Sequence, residues 1–133
     1  AEHVPAIVES WFLGVEMGHA LADVLFGDVN PSGKLPMSFP RNVGQLPLYY
    51  NHKRTGRPPK TSERYTSKYN DVPWTPLYPF GHGLSYTRFE YSDLQLDRES
   101  AQAANVVQMT LTVKNIGARA GDDCGACAAC WSA

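Results

Sequence analysis

The sequence has little cysteine, no long hydrophobic run and no excess of basic residues. All three cysteines lie in the final segment CGACAACWSA, so the rest of the chain cannot supply the fourth cysteine that an iron–sulfur cluster needs. The apolar runs are a handful of residues long, far short of the roughly 20 that cross a bilayer. The formal net charge is −1. A nucleic acid or an anionic membrane therefore has little electrostatic support as a partner.

The remaining composition is that of a globular protein. Hydrophobic residues make up 43% and charged residues 19% of the 133 positions, and a compact chain of this length buries roughly two-thirds of its unfolded surface. The chain opens with AEHVPAIVESW, without an initiating Met or the regions of a signal peptide. We therefore expect it to be a piece of a longer protein.

The first part of the chain predicts a strand followed by a helix. Residues 5–12, PAIVESWF, are β-branched and aromatic and indicate a short buried strand. Gly14 breaks it, Glu16 stands in the first helical turn, where the dipole favours an anion, and Gly27 is placed to end the helix in a left-handed conformation. Five residues at helical spacing form one apolar stripe: Met17, Ala20, Leu21, Val24 and Leu25.

A turn and a second strand complete this α/β unit. Asn30-Pro31-Ser32-Gly33 is a turn signature in which Gly33 permits a positive φ. Residues 35–39 alternate like a strand, and their flanking prolines confine it to an edge or an end. One helix and two short strands leave most of an α/β layer uncovered. Partner strands must come from elsewhere.

The later part of the chain predicts an irregular connector and then two strands. Residues 40–83 are rich in Pro, Tyr, Lys and Arg, and their aromatic residues argue against disorder. Residues 89–96 and 106–117 alternate with period two and indicate half-buried strands of an antiparallel sheet. Two lone strands are marginal in water. We expect exposed apolar surface along 106–113 and also along 15–26.

Four segments in order carry a family resemblance: 11–41 (WFLGVEMGHALADVLFGDVNPSGKLPMSFPR), 43–58 (VGQLPLYYNHKRTGRP), 77–96 (LYPFGHGLSYTRFEYSDLQL) and 111–123 (LTVKNIGARAGDD). They resemble the C-terminal part of glycoside hydrolase family 3, in particular the bacterial periplasmic β-glucosidase type. The first segment is highly specific. Together the four cover nearly the whole chain to Asp123.

The resemblance implies a fold that is α/β plus all-β. Residues 1–41 would be the end of an α/β-sandwich domain, 42–83 a long ordered connector, and 84–123 the first strands of an incomplete fibronectin type III-like domain. The tail 124–133 departs from the family pattern, which continues with another apolar strand. A shifted reading frame or a truncated gene model is our hypothesis for this Cys/Ala-rich tail, and resequencing the locus tests it.

The resemblance also implies an exo-acting, retaining β-glucosidase that removes terminal β-D-glucosyl residues. Such hydrolysis needs two carboxyl groups about 5–5.5 Å apart, which in the family come from an N-terminal barrel and from a region upstream of residue 1. We therefore expect no catalytic residue in this chain, no metal and no cofactor. The implied partners are that barrel and a β-linked oligosaccharide or aryl β-glucoside, in a periplasmic or secreted enzyme, with no nucleic acid and no membrane.

The connector holds the candidate substrate-binding residues. They are planar or multi-donor groups, which line sugar sites by stacking and forked hydrogen bonds: Tyr49, Tyr50, Asn51, Arg54 and Arg57. In the alternative reading, the two tyrosines anchor the connector against the barrel while the arginines are solvated. Trp74 is predicted to be a plug at a domain interface.

The other chemically suggestive residues are predicted to be structural. Glu16 is expected to satisfy helix donors, and Glu9 to be structural as well. His19 and His82 lack a Ser, Cys or acid at a useful spacing and are expected to be packing or surface residues. Two further hypotheses stay open: a non-catalytic carbohydrate-binding or adaptor module, and an unrelated α+β domain with a metal site at Cys124, Cys127 and Cys130.

Overall fold

The computed structural model describes residues 3–102 and 105–124, and the chain divides into two compact units. The first unit comprises Ala1–Pro31 with Ser85–Asp122. The second comprises Ser32–Leu84 with the chain from Asp123 onward. Within these described residues, one α-helix and one two-stranded antiparallel sheet form in the first unit, and a short 3₁₀ turn, Val43–Gln45, lies in the second.

The helix of the first unit ends where the sequence predicts. A 3₁₀ turn, Gly14–Glu16, leads into α1, Met17–Phe26. Gly27 follows with φ 86°, and its N–H donates to the carbonyl of Val24 at 3.2 Å. A left-handed residue is cheapest as glycine, because a Cβ would clash with the backbone there. In the part of the chain that the structure describes, no helix is long and apolar enough to span a membrane.

The strand predicted over 5–12 is wrong. This segment is irregular, and Trp11 has a left-handed backbone with φ 50°. The Trp11 N–H donates to the carboxylate of Glu9 at 3.2 Å. This hydrogen bond lies within the segment, whereas a strand would bond to the backbone of a neighbouring strand. A strand is stabilised by its cross-strand neighbours, and none of the described segments forms strand hydrogen bonds with 5–12.

The two later strands are confirmed. β1, Phe89–Leu96, and β2, Met109–Asn115, pair antiparallel, with Phe89 opposite Asn115 and Leu96 opposite Met109. β2 begins three residues later than predicted. The register shifts between Ser92 and Gln95, where Asp93 has φ 55°. This one-residue bulge uses an aspartate, one of the few residues that tolerate a left-handed backbone.

Polar contacts tie the helix end of the first unit to the chain around the sheet. The Asn30 side-chain oxygen accepts hydrogen bonds from the Tyr86 N–H and the Ser85 hydroxyl, each at 2.8 Å. The Tyr86 hydroxyl donates to the Val24 carbonyl at 2.7 Å. The Arg119 guanidinium donates to the Gly27 carbonyl and lies 5.5 Å from the centroid of the Tyr86 ring. These bonds satisfy carbonyls that the end of α1 leaves open.

No hydrophobic side chain is buried among the residues that the structure describes. Phe12 is 101%, Val15 99% and Phe26 86% exposed. Along the apolar stripe of α1, Leu21 and Val24 are half-buried, and Met17 and Leu25 are exposed. The strands are also more exposed than the predicted half-buried pattern, whereas the predicted exposure of 15–26 and 106–113 is confirmed.

In the second unit, the strand predicted over 35–39 is reduced to interrupted pairing. A single bridge joins Phe39 to Tyr78. Leu35 exchanges hydrogen bonds with the 81–82 backbone, each 2.8 Å long. Pro36 and Pro40 have no N–H to donate, and a bend at 36–37 separates the two pairings. A continuous strand therefore does not form.

The predicted turn at 30–33 is also wrong: these residues form no turn, and Gly33 does not have a positive φ. Positive φ occurs instead at Gly81, 80°. Gly83 is required for a different reason, since a Cβ there would lie 2.6 Å from the carbonyl oxygen of Gly33. Lys34 reaches across this contact and donates to the Gly83 carbonyl at 2.9 Å. The glycines of 81–83 thus allow two chain segments to approach closely.

Candidate functional site

The second unit contains a groove of about 440 Å³ with mainly aromatic and proline walls. Tyr49, Tyr50 and His52 approach it from one segment, and Trp74, Pro79 and Phe80 from another. We call this surface the aromatic groove. Its volume lies within the range of small-ligand sites.

One wall of the aromatic groove is a stacked ring pair. Tyr50 and Phe80 have centroids 4.3 Å apart and planes inclined by 18°. The Phe80 N–H donates to the hydroxyl of Ser38 at 3.2 Å, and Ser38 is buried. Stacking and this backbone bond together hold the Tyr50 ring in one place.

A buried amide supports the part of the groove around Trp74. Gln45 is 1% exposed and is the last residue of the short 3₁₀ turn Val43–Gln45. Its carboxamide NH₂ donates to the carbonyls of Pro73 at 2.9 Å and Thr75 at 3.3 Å, and its oxygen accepts from the Arg41 N–H. These bonds fix the backbone on both sides of Trp74. Sequence reasoning missed Gln45, because a single glutamine is usually a surface residue and carries no pattern.

The lining of the aromatic groove favours a neutral, ring-shaped ligand. Tyr49 is 65% exposed, and Tyr50 and Trp74 also present accessible faces. Among the residues that the structure describes, neither a carboxylate nor an Arg or Lys side chain lines the groove. Aromatic faces bind apolar ring faces, while hydroxyl and imidazole groups fix orientation. This arrangement can bind a sugar, but it supplies no acid or nucleophile for breaking a glycosidic bond.

The predicted substrate-binding residues separate in the structure. Tyr49 and Tyr50 line the aromatic groove together with Trp74, which was predicted to be an interface plug. Arg57 lines a different cavity of about 230 Å³. Asn51 and Arg54 line neither cavity.

The two carboxylates near the start of the chain make local contacts. Glu9 accepts from the Trp11 N–H. Glu16 stands at the N-cap of α1 without a side-chain capping bond, so the prediction that it satisfies helix donors is wrong. It lies 2.9 Å from the Nδ1 of His19, which also corrects the prediction that His19 has no acid nearby. His82 stacks on Tyr78 with centroids 5.1 Å apart, as expected for a packing residue.

Metal-ligating groups do not gather in residues 3–102 and 105–124, where no cluster of three or more His, Cys, Asp or Glu side chains occurs. Cys124 is exposed. The other two cysteines of the hypothesised metal site, Cys127 and Cys130, lie outside the described residues.

Comparison with known proteins identifies relatives along most of the chain. The model of the glycosyl hydrolase family 3 C-terminal domain matches residues 1–86. A periplasmic β-glucosidase of Salmonella typhimurium is 54% identical over 122 residues, which is 90% of this chain and 16% of the relative. A β-xylosidase of Formosa agariphila is 44% identical over 123 residues, again 16% of its length.

Solved structures show the same relationship. A β-glucosidase of Listeria innocua in complex with isofagomine superposes with a TM-score of 0.76 at 48% identity, covering 84% of this chain and 16% of that protein. The same enzyme in complex with glucose gives a TM-score of 0.75. The chain therefore spans about a sixth of the length of the relatives it matches.

Proposed function

The chain belongs to the glycosyl hydrolase family 3 C-terminal domain family, and we propose that it is the C-terminal part of an exo-acting, retaining β-glucosidase. Its substrates would be β-linked oligosaccharides or aryl β-glucosides with a terminal β-D-glucosyl residue. Support comes from the 54% identity to the Salmonella β-glucosidase and the 48% identity to the Listeria enzyme, whose complex contains glucose. The Salmonella relative is periplasmic by name, so we place this protein in the periplasm or outside the cell.

In this proposal the chain contributes to sugar binding and not to bond cleavage. Retaining hydrolysis needs a nucleophilic carboxylate and a second carboxyl about 5–5.5 Å away. Glu9 and Glu16 are engaged locally, by Trp11 and His19, and the aromatic groove has no carboxylate. The catalytic pair would come from an N-terminal barrel and from the region before residue 1.

The observation that carries the binding role is the aromatic groove. The Tyr50 ring is held by stacking on Phe80, and the backbone on both sides of Trp74 is held by the buried Gln45 amide. We propose that Tyr49 and Tyr50 stack on a sugar ring. The other predicted site residues, Asn51, Arg54 and Arg57, would contact the sugar chain outside the aromatic groove, since none of them lines it.

The domain organisation is also part of the proposal. Residues 1–41 would complete an α/β-sandwich domain, 42–83 would connect, and 84–123 would begin a fibronectin type III-like domain. The antiparallel pairing of β1 with β2 agrees with the first two strands of such a domain.

A transplant into the relative tests the binding role. In the grafted enzyme, residues 1–123 of this chain replace the matching segment of the Salmonella β-glucosidase. Loss of one aromatic stack costs about 0.5–1.5 kcal/mol, so Tyr50→Ala should raise KM for an aryl β-glucoside about 3- to 10-fold, and Tyr50→Phe should restore it.

The matched control is Tyr69→Ala, since Tyr69 lies on the same connector and lines neither cavity. An equal change in KM for Tyr69→Ala and Tyr50→Ala would contradict the assignment of the groove to substrate.

The groove without carboxylates also favours a second candidate, a carbohydrate-binding module without catalysis. This candidate would be supported over the first if two results are obtained together. The grafted enzyme would be folded but would not hydrolyse the substrate, and the isolated chain would bind sugar.

A further inference from the structure

The positive charge of the chain is concentrated in residues 53–68. Half of its 12 lysines and arginines lie there, with Glu63 as the one acid. The formal net charge of the segment is therefore 6 − 1 = +5, and that of the rest of the chain is 6 − 12 = −6. The six cations are Lys53, Arg54, Arg57, Lys60, Arg64 and Lys68. Solubility does not require this separation of positive from negative charge, because charges of both signs interspersed over a surface keep a protein equally soluble.

The segment is a folded loop held by its own hydrogen bonds. The Ser67 N–H donates to the Arg57 carbonyl at 2.9 Å. The Lys68 ammonium donates to the carbonyls of Lys60 and Thr61 at 2.9 and 3.0 Å. These bonds hold several like charges close together on one loop against their mutual repulsion.

The loop surrounds the cavity of about 230 Å³ that Arg57 lines. The ring of Tyr65 also lines it and is 78% exposed, with the Arg64 guanidinium 5.9 Å from the ring centroid. Lys60 is paired with Glu63 at 2.6 Å. The Arg57 guanidinium forms no ion pair with any residue that the structure describes, so its donors are available to a ligand.

We propose that this cavity binds a carboxylate-bearing sugar, the uronic acid unit of an acidic glycan. The planar fork of Arg57 matches a carboxylate with two parallel hydrogen bonds. The Tyr65 face suits a pyranose ring. The inference rests on the proposed function, because Arg57 is one of its sugar contacts, and it names the class of sugar that Arg57 contacts.

The test compares acidic and neutral ligands on the same protein. Affinities for a galacturonic acid trimer and for a neutral β-glucan trimer are measured with the whole chain and, in parallel, with the grafted enzyme, so that poor solubility of the chain does not prevent the test. Arg57→Ala and Tyr65→Ala should each lower the acidic-to-neutral affinity ratio about tenfold. Arg57→Lys, which retains the charge without the fork, should lower it about threefold.

Arg88→Ala is the matched control, because Arg88 is an exposed arginine outside the loop that forms no ion pair in the described part of the chain. Equal effects of Arg57→Ala and Arg88→Ala, or no effect of Tyr65→Ala, would overturn the proposal in favour of general charge attraction. Competition by small anions against the galacturonic acid trimer is a further check. If inorganic sulfate displaces the trimer as well as free galacturonate does at equal ionic strength, the proposal is overturned, since the site then recognises only an anion.

The two proposals fail in different ways. Binding of the neutral trimer without binding of the galacturonic acid trimer refutes the uronic acid site and leaves the aromatic groove intact. Binding of the acidic trimer alone, unaffected by Tyr50→Ala, supports the uronic acid site and refutes sugar binding in the groove.

Discussion

Single residues with buried polar groups organise the aromatic groove. Ser38 supports the wall with Phe80, and Gln45 supports the wall with Trp74. The tyrosines at 49 and 50 could be predicted as site candidates because their residue type carries the chemistry. The supporting residues could not, since burial of a serine or glutamine depends on contacts far away in the chain.

Gln45→Met should displace Trp74. The substitution conserves volume but leaves the Pro73 carbonyl without its donor and the Thr75 carbonyl with Arg41 as its remaining donor, at a cost of about 1–3 kcal/mol. Fluorotryptophan NMR of the grafted enzyme should show a changed Trp74 signal and an unchanged Trp11 signal. Gln95→Met, on exposed strand β1, is the control. A Trp74 signal that is insensitive to Gln45→Met would refute this role.

Asp97 should titrate below the usual range of an aspartate. The Arg98 guanidinium donates to its carboxylate at 2.7 and 3.0 Å and the Gln108 N–H at 3.1 Å, and these bonds lower its pKa, Arg98 having the larger effect. A lowered carboxyl pKa stabilises the fold above the unfolded value of about 4. This contribution is lost as the pH falls through the folded value.

An NMR pH titration of Asp97 measures this effect directly. Arg98→Ala should raise the Asp97 pKa toward its ordinary value, whereas Arg88→Ala should not. The same pKa in the Arg98→Ala variant and the parent would contradict the assigned cause.

At the scale of secondary-structure elements, the sequence correctly predicted features that depend on adjacent residues. It did not correctly predict strands that depend on pairing with another segment. The end of α1 at Gly27 and the extent of β1 follow from backbone preference and alternation, which a short stretch of sequence contains. The strands predicted over 5–12 and 35–39 needed neighbouring strands or uninterrupted N–H donors. Strand formation depends on the partner as much as on the segment, so hydrophobic β-branched residues alone could not predict it.

Two glycines of the α1 region should respond in opposite directions to alanine. Gly27 has φ 86° and would place a Cβ 3.2 Å from the Arg119 guanidinium, so Gly27→Ala should destabilise the helix end by about 1 kcal/mol. Gly18 lies within α1 with open space around it, so Gly18→Ala should stabilise it by about 0.5–1 kcal/mol. Amide exchange in α1 measures both. Equal amide protection factors in the Gly27→Ala and Gly18→Ala variants would contradict the role of Gly27 as the left-handed end of α1.

At the scale of the whole molecule, the described part of the chain lacks a buried apolar core. Its first unit is held by polar contacts around Asn30, Tyr86 and Arg119. Large apolar side chains on α1 and on the sheet are exposed to solvent. The relatives that the chain matches are about six times longer than the chain. Sequence patterning identified these apolar faces correctly but could not show what they pack against, because that depends on other polypeptide segments.

The isolated chain should therefore bind a hydrophobic dye and associate in solution. Val15→Lys and Phe26→Lys together should reduce dye fluorescence several-fold, because they remove two of the most exposed apolar side chains. Light scattering and dye titration measure this. A soluble monomer with a sharp, cooperative melt and no dye binding would contradict it.

The central claim, that this chain binds sugar but lacks the acids that cleave it, is tested most directly by turnover of an aryl β-glucoside. The purified chain should release no nitrophenol above the blank, while the grafted enzyme should turn over steadily. Sustained release by the chain alone, unchanged through successive purification steps, would contradict the claim.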